Sequence, residues 1–197
     1  MIYASHTVGR EVQVEIELWL DYICPYSRKL FDCVYSQVIP EVEAQYPGRV
    51  SWTFNHQVQP WHPQGAILHE YAIAVGIESP ERFWQFSKAL FDESPRFYDE
   101  AVVDKSRNDL LSALGEIAGR VCIDHSRILQ SVNIMPGTPA NRGPLTIAHL
   151  KHYVKLGRQN GIHVSPTAVT NGLVDSSISS SWTTREWVTH IEGLLDN

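Results

Sequence analysis

The sequence predicts an α/β chain, with a strand-helix-strand opening, a long all-helical middle and a strand-strand-helix ending. Three observations predict it. Period-two hydrophobicity at 12–20 gives way to helical spacing from Pro25, and strand character returns at 49–58. Four stretches between about 64 and 160 then carry helical spacing, with no convincing strand among them. Finally, Asn171-Gly172 separates two short strand-like runs ahead of an amphipathic terminus.

Each element has its own reason. "VQVEIELWL" (12–20) places Val12, Val14, Ile16, Leu18 and Leu20 on one face, because successive side chains of a strand point to opposite sides. From Pro25 onward, Tyr26, Leu30, Val34 and Val38 recur at helical spacing. Proline is tolerated in a first turn, where its missing N–H has no partner to lose. Pro40 interrupts or kinks this helix, and "YPG" at 46–48 ends it. "RVSWTFNHQV" (49–58) reads as a second strand, for which a parallel crossover is the economical connection. "GAILHEYAIAVGI", "PERFWQFSKALFDE", "VDKSRNDLLSALGEIAGRV" and "PLTIAHLKHYVKLGRQNG" read as helices separated by Pro, Gly and Asn, with a shorter one expected at 124–132. "HVSPTAVTNGLVD" (163–175) reads as two strands around an Asn-Gly turn. "TTREWVTHIEGLLD" closes the chain as a helix capped by Thr183 or Thr184.

At 197 residues the chain suits one domain of ordinary size, or a small domain carrying an insertion. The expected division is a discontinuous α/β domain, 1–62 and 161–197, around a helical insertion at 63–160. With 43% hydrophobic and 19% charged residues it can bury a sizeable core. A net charge of −6, with its basic residues scattered singly, disfavours nucleic acid or an anionic membrane as partner. No apolar run approaches the ~18–20 residues that cross a bilayer. The N-terminus lacks a basic stretch followed by an apolar one, so a cytoplasmic location is expected. A homodimer is an open alternative to a monomer. The three cysteines are too few and odd in number for a disulfide framework. On one straight helix Cys24 and Cys33 lie about 13 Å apart along the axis and on opposite faces, beyond the roughly 7 Å a disulfide spans. Cys122 reads as a small buried apolar residue.

"CPYS" at 24–27 stands at the first strand-to-helix junction, and "VSPT" at 164–167 precedes the final hairpin. With this element order, the chain resembles the DsbA-like branch of the thioredoxin superfamily: a thioredoxin-like fold interrupted by an all-helical insertion. The resemblance implies a cis bond before Pro166, with Val164 and Ser165 facing Cys24. The chain departs from DsbA-like oxidoreductases at Ser27, where they carry a second cysteine that resolves mixed disulfides. It is also similar to kappa-class glutathione transferases and hydroxychromene-carboxylate isomerases. Their serine at the place of Cys24 holds the glutathione thiol, which implies glutathione as a cosubstrate here.

A cysteine at a helix N-terminus meets unpaired N–H groups and the positive end of the helix dipole, which favour its thiolate. Cysteines so placed fall from about 8.5 to roughly 3.5–7.5 in pKa. Ser27 lies at i+3 on the same face, where its hydroxyl is expected to reach the sulfur but not to act as a resolving nucleophile. Pro25 and Tyr26 flank the thiol. "NHQVQPWHPQGAILHE" (55–70) follows the second strand, so His56, Gln57, Trp61 and His62 are expected in the crevice beyond the strand ends. Ser165, Pro166 and Thr167 complete the expected binding set. The spacing of His56, His62 and His69 matches no common zinc pattern, so no metal is expected, and a histidine general base is more credible. His149, His152 and His163 read as structural or exposed, and Phe83, Trp84, Phe86, Leu90 and Phe91 as insertion core. No phosphate loop, nucleotide fingerprint or nucleophile elbow is present. The sequence therefore points to a single-thiol oxidoreductase acting on thiol or disulfide substrates, without a tightly bound cofactor. A glutathione-dependent transferase or isomerase acting on an apolar small molecule is the alternative. A non-catalytic binding protein is the third.

Overall fold

The computed structural model describes residues 4–8 and 12–196. Five strands form one mixed sheet: β1 (Thr7–Val8), β2 (Val14–Leu20), β3 (Val50–His56), β4 (Thr167–Thr170) and β5 (Leu173–Val174), in the order β1-β3-β2-β4-β5. β2 and β3 are parallel, and every other pair is antiparallel. The connection between the parallel pair is helical. It runs through α1 (Pro25–Cys33), a π-turn at Val34–Val38 and α2 (Ile39–Gln45). Pro40 falls in the first turn of α2, so the expected interruption appears as a wider, π-type step within an otherwise continuous helix.

Six helices fill the chain between β3 and β4: α3 (Gly65–Glu78), α4 (Phe83–Asp92), α5 (Asp99–Val102), α6 (Arg107–Arg120), α7 (His125–Val132) and α8 (Ile147–Gln159). A terminal helix, α9 (Thr184–Leu195), starts at Thr183, which forms a capping box with Glu186. One face of the sheet, carrying Ile16, Leu18, Leu20, Trp52 and Phe54, joins the main core with Leu30 and Phe31 of α1 and Trp187 of α9. On the other face Trp19 and Val169 pack with Ile162 and Leu156. There α8 approaches so closely that a Cβ on Gly157 would stand 3.2 Å from the Trp19 ring.

Two features differ from the sequence reading. Thr7 and Val8 add an antiparallel edge strand beside β3, preceded by a 3-10 turn at Ala4–His6. A two-residue strand is too short to show a period. Cys122 is exposed rather than buried. It takes a left-handed conformation, φ +59°, in the turn that ends α6. There the Ile123 N–H bonds back to the Ala118 carbonyl, and the next residue, Ile123, is the one buried. Among the described residues no helix is long and apolar enough to cross a membrane.

Candidate active site

The carboxyl ends of β2 and β3 meet at one edge of the core, and the chain leaves each through a turn. After β2, Asp21 turns the backbone: its carbonyl accepts the Cys24 N–H at 3.2 Å, and its carboxylate accepts the Ile23 N–H at 2.8 Å. Cys24 is then the N-cap of α1, in extended conformation, with Pro25 in the first turn. Its side chain caps no backbone group and is left at the surface of the turn, half-buried. The Cys24 thiol donates to the Ser165 carbonyl at 3.4 Å. The Ser165-Pro166 bond is cis, as expected. All three cysteines are unpaired.

A cavity of about 280 Å³ opens over the sulfur, lined by Cys24, Pro25, Tyr26, Gln59, Trp61, His62, Val164 and Ser165. Tyr26, Trp61 and Val164 present large apolar surfaces to water around it, each more than half exposed. Ser165 Oγ is buried there without a hydrogen-bond partner. A second cavity of about 350 Å³, lined by Ile23, Pro25, His62, Tyr98, Asp99 and Glu100, shares Pro25 and His62 with the first. The groove thus runs from the thiol onto the helical insertion.

His62 stands where the two cavities join, and its Nδ1 meets both oxygens of Asp99, at 3.1 and 3.2 Å. Gln64 donates to the same carboxylate at 2.8 Å. The Gln64 hydrogen bond, then that of His62, holds the Asp99 carboxyl below its ordinary range. With Nδ1 tied to a carboxylate, His62 has Nε2 left for proton exchange, the usual logic of an oriented imidazole.

Other expected residues are placed differently. Ser27 is fully buried, and its Oγ accepts the Asp21 N–H at 3.3 Å, so it braces the turn from below. Thr167 lies outside the cavity, and its hydroxyl donates to the Val164 carbonyl at 2.8 Å, fixing the bend that carries Val164 ahead of β4. Gln57 faces another pocket, alongside Arg158 and His163, and donates to the Ile162 carbonyl. His56 is fully buried behind the turn, with its ring nitrogens against His6 and His69. The period of β3 turns it to the core face with Phe54, and the crevice receives the residues that follow the strand. Among the described residues no group of three His, Cys, Asp or Glu side chains is placed to hold a metal ion.

Three participants were not visible in the sequence. Gln59 gives its N–H to the Asp21 carboxylate at 2.7 Å and lines the thiol cavity. Asp99 comes from the insertion, 37 positions from His62. Asp21 is fully buried. Burial pushes its carboxyl up, but the His69 contact and the N–H groups of Ile23 and Gln59 outweigh that and leave it below the ordinary range. The sole sequence signal for Asp21 was an acid directly after an otherwise apolar strand end.

No protein-family model matches the sequence, and no curated protein matches it. Solved structures do match. A candidate protein-disulfide isomerase from Pseudomonas syringae superposes with a TM-score of 0.77 at 24% identity, covering 97% of this chain and 99% of that one. Oxidised BdbD from Bacillus subtilis superposes at 0.67 with 20% identity, over 98% of this chain and 93% of its own. DsbA from Chlamydia trachomatis gives 0.61 at 14% identity, over 97% and 91%. The fold is therefore the thioredoxin-like one with a helical insertion that DsbA-like proteins share.

Proposed function

We propose, for a chain with the DsbA-like fold, that Cys24 performs thiol-disulfide exchange as a single thiol. The observation that carries this reading is the position of its sulfur: at the start of a helix, 3.4 Å from the carbonyl before a cis-proline, at the floor of an open groove. The Cys24 thiolate attacks one sulfur of a substrate disulfide, forming a mixed disulfide and releasing the other half as a thiolate that takes up a proton. An external thiol, for which glutathione is the proposed source, then attacks the sulfur bonded to Cys24. That returns the Cys24 thiolate and leaves a mixed disulfide between substrate and glutathione. A second glutathione reduces it, so two glutathiones become one glutathione disulfide per substrate disulfide cleaved.

Ser27 cannot replace the external thiol, because its hydroxyl is buried and engaged by Asp21. His62, oriented by Asp99, is proposed to take the proton from the attacking thiol and return it to the leaving one. Glutathione-coupled reduction of insulin tests the scheme. Wild-type turnover should require glutathione, Cys24→Ser should abolish it, and His62→Ala should lower it roughly 10²-fold, the smaller end of general acid-base contributions. Turnover by Cys24→Ser at the wild-type rate would sink the assignment.

The exposed apolar side chains of Tyr26, Trp61 and Val164 around the thiol favour one second reading. In it, glutathione held at Cys24 is transferred to, or isomerises, an apolar small molecule lying in the groove. Glutathione consumption with such an electrophile, without any insulin reduction, would select it.

A further inference from the structure

Behind the active-site turn runs a row of buried side chains that the thiol chemistry does not use. Ser5 Oγ meets His6 Nδ1 at 2.9 Å, His6 Nε2 meets His56 Nε2 at 3.0 Å, and His56 Nδ1 meets His69 Nδ1 at 2.7 Å. His69 Nε2 then stands 3.7 Å from Asp21 Oδ1, longer than a hydrogen bond, and has no hydrogen-bond partner of its own, so the carboxylate is the acceptor nearest to hand. The row crosses four elements, from the 3-10 turn at the sheet edge through β3 and α3 to the end of β2. His56, His69 and Asp21 are fully buried, His6 is 1% exposed, and only Ser5, at 9%, approaches the surface. The nitrogens point at one another in series and do not converge on a common centre, so the row is no metal site.

Its proton order is fixed by elementary chemistry. A neutral imidazole carries one donor and one acceptor nitrogen. The Asp21 carboxylate can only accept, so His69 carries its proton on Nε2 and accepts at Nδ1. His56 must then donate from Nδ1 and accept at Nε2. His6 donates from Nε2 and accepts the Ser5 hydroxyl at Nδ1. Every link points toward Asp21. Along these same links one other order is possible, with every proton moved one link inward. Ser5 passes its proton to His6 Nδ1, His6 Nε2 to His56 Nε2, His56 Nδ1 to His69 Nδ1, and His69 Nε2 to Asp21. Water restores the Ser5 hydroxyl. One proton has entered, and no ring has become charged at the end.

We propose that Ser5, His6, His56, His69 and Asp21 conduct protons between the edge of the sheet and the carboxylate beneath the Cys24 turn. The Asp21 carboxylate accepts the Ile23 and Gln59 N–H groups while its backbone carbonyl accepts the Cys24 N–H, so its charge sits beside the reactive turn. When a negative charge forms at the sulfur, the row lets Asp21 be neutralised without the turn opening. The charged Asp21 order is the resting one, and conduction requires only brief visits to the other.

The surroundings favour concerted movement. Burial holds His6 down to about 3, and burial followed by the neighbouring rings holds His56 well below the imidazole range, so neither of these two links can store a full positive charge. Among the described residues, the titratable rings facing the row are Tyr22, beside His69 and His56, and Tyr153 of α8, beside His56 and His6. Burial raises both phenols, which keeps them neutral. α4 contributes Phe83, stacked on His6 at 3.7 Å. Glu70, next to His69 on α3, is tied to Arg107 at 2.7 Å.

Proton conduction along this row depends on its geometry and not on which reaction Cys24 performs. Its test is hydrogen exchange of the imidazole protons, followed by nitrogen-15 NMR. In the wild type the protons should sit on His69 Nε2, His56 Nδ1 and His6 Nε2. Those of His56 and His69 should exchange with D2O at least tenfold faster than the Phe54 and Asn55 amides beside them. Ser5→Ala removes the entrance without adding bulk, and should slow imidazole exchange at least tenfold while leaving the amides unchanged. Imidazole protons exchanging only in step with the amides of β3, or a Ser5→Ala protein with wild-type exchange, would overturn the proposal.

Discussion

Ser27 and Asp21 divide between them what a second cysteine and a solvated turn would otherwise supply. Ser27 Oγ accepts the Asp21 N–H, and a thiol is a weaker acceptor, so Ser27→Cys should cost about 1 kcal/mol of stability. It also places a sulfur at i+3 from Cys24, where an intramolecular attack far outruns glutathione. The oxidised variant should show, by mass spectrometry, a disulfide between Cys24 and the introduced thiol, and should reduce insulin faster than the wild type. A bridged variant that reduces nothing would count against thiol-disulfide exchange and for the transferase reading. Asp21 makes a different prediction. Its folded carboxyl lies below the ordinary value, so its stabilisation is present above about pH 3.9 and is lost as pH falls through the lower folded value. Asp21→Asn should therefore be destabilised at pH 7 and converge with the wild type in strong acid, as urea titrations at several pH values would show. The role of Ser27 was half legible, because its type and spacing could be read but its burial could not. Asp21 carried no sequence reading of its own, His56 read as a crevice residue and His69 only as part of an unmatched metal spacing, because burial depends on partners far along the chain.

The helical and strand elements were more legible than their contacts. The period of β2, the proline at the start of α1 and the Asn-Gly turn between β4 and β5 each carry a local cause. That turn has positive φ at both Asn171 and Gly172, the hairpin geometry the dipeptide favours. β1 escaped because two residues carry no period, and Cys122 because a left-handed turn residue need not be Gly or Asn. How α3 meets the N-terminal turn was equally invisible. A Cβ on Gly76 would stand 2.6 Å from His6 Cε1 and 3.0 Å from Ser5 Oγ. The ring is buried between Phe83 and Tyr153 and cannot swing aside. Gly76→Ala should thus lose about 1–3 kcal/mol despite its better helix propensity, measurable by chemical denaturation. A stabilised Gly76→Ala would mean that the turn gives way freely.

At the scale of the whole molecule, the buried histidines set the response to acid. His6, held to about 3, and His56, held well below 6.5, stay neutral in the folded chain, whereas unfolded imidazoles take up protons near pH 6.5. The unfolded state then binds more protons, so stability falls as pH drops below about 6.5, by up to roughly 1.4 kcal/mol per pH unit for each histidine. Thermal melts between pH 7 and 4 should show this decline, and His6→Leu should flatten it. The same architecture has a consequence in time. The Cys24 thiol and the Ser165 carbonyl that receives it are 141 residues apart in the chain. At about 5–20 residues per second, a ribosome makes the cysteine roughly 7 to 30 seconds before its cover. During that interval the newborn thiol has neither groove nor carbonyl, and β2 lacks its β4 neighbour. Chemistry done to Cys24 on the ribosome is therefore done to a plain cysteine, and an adduct acquired then is carried into the site before the site exists.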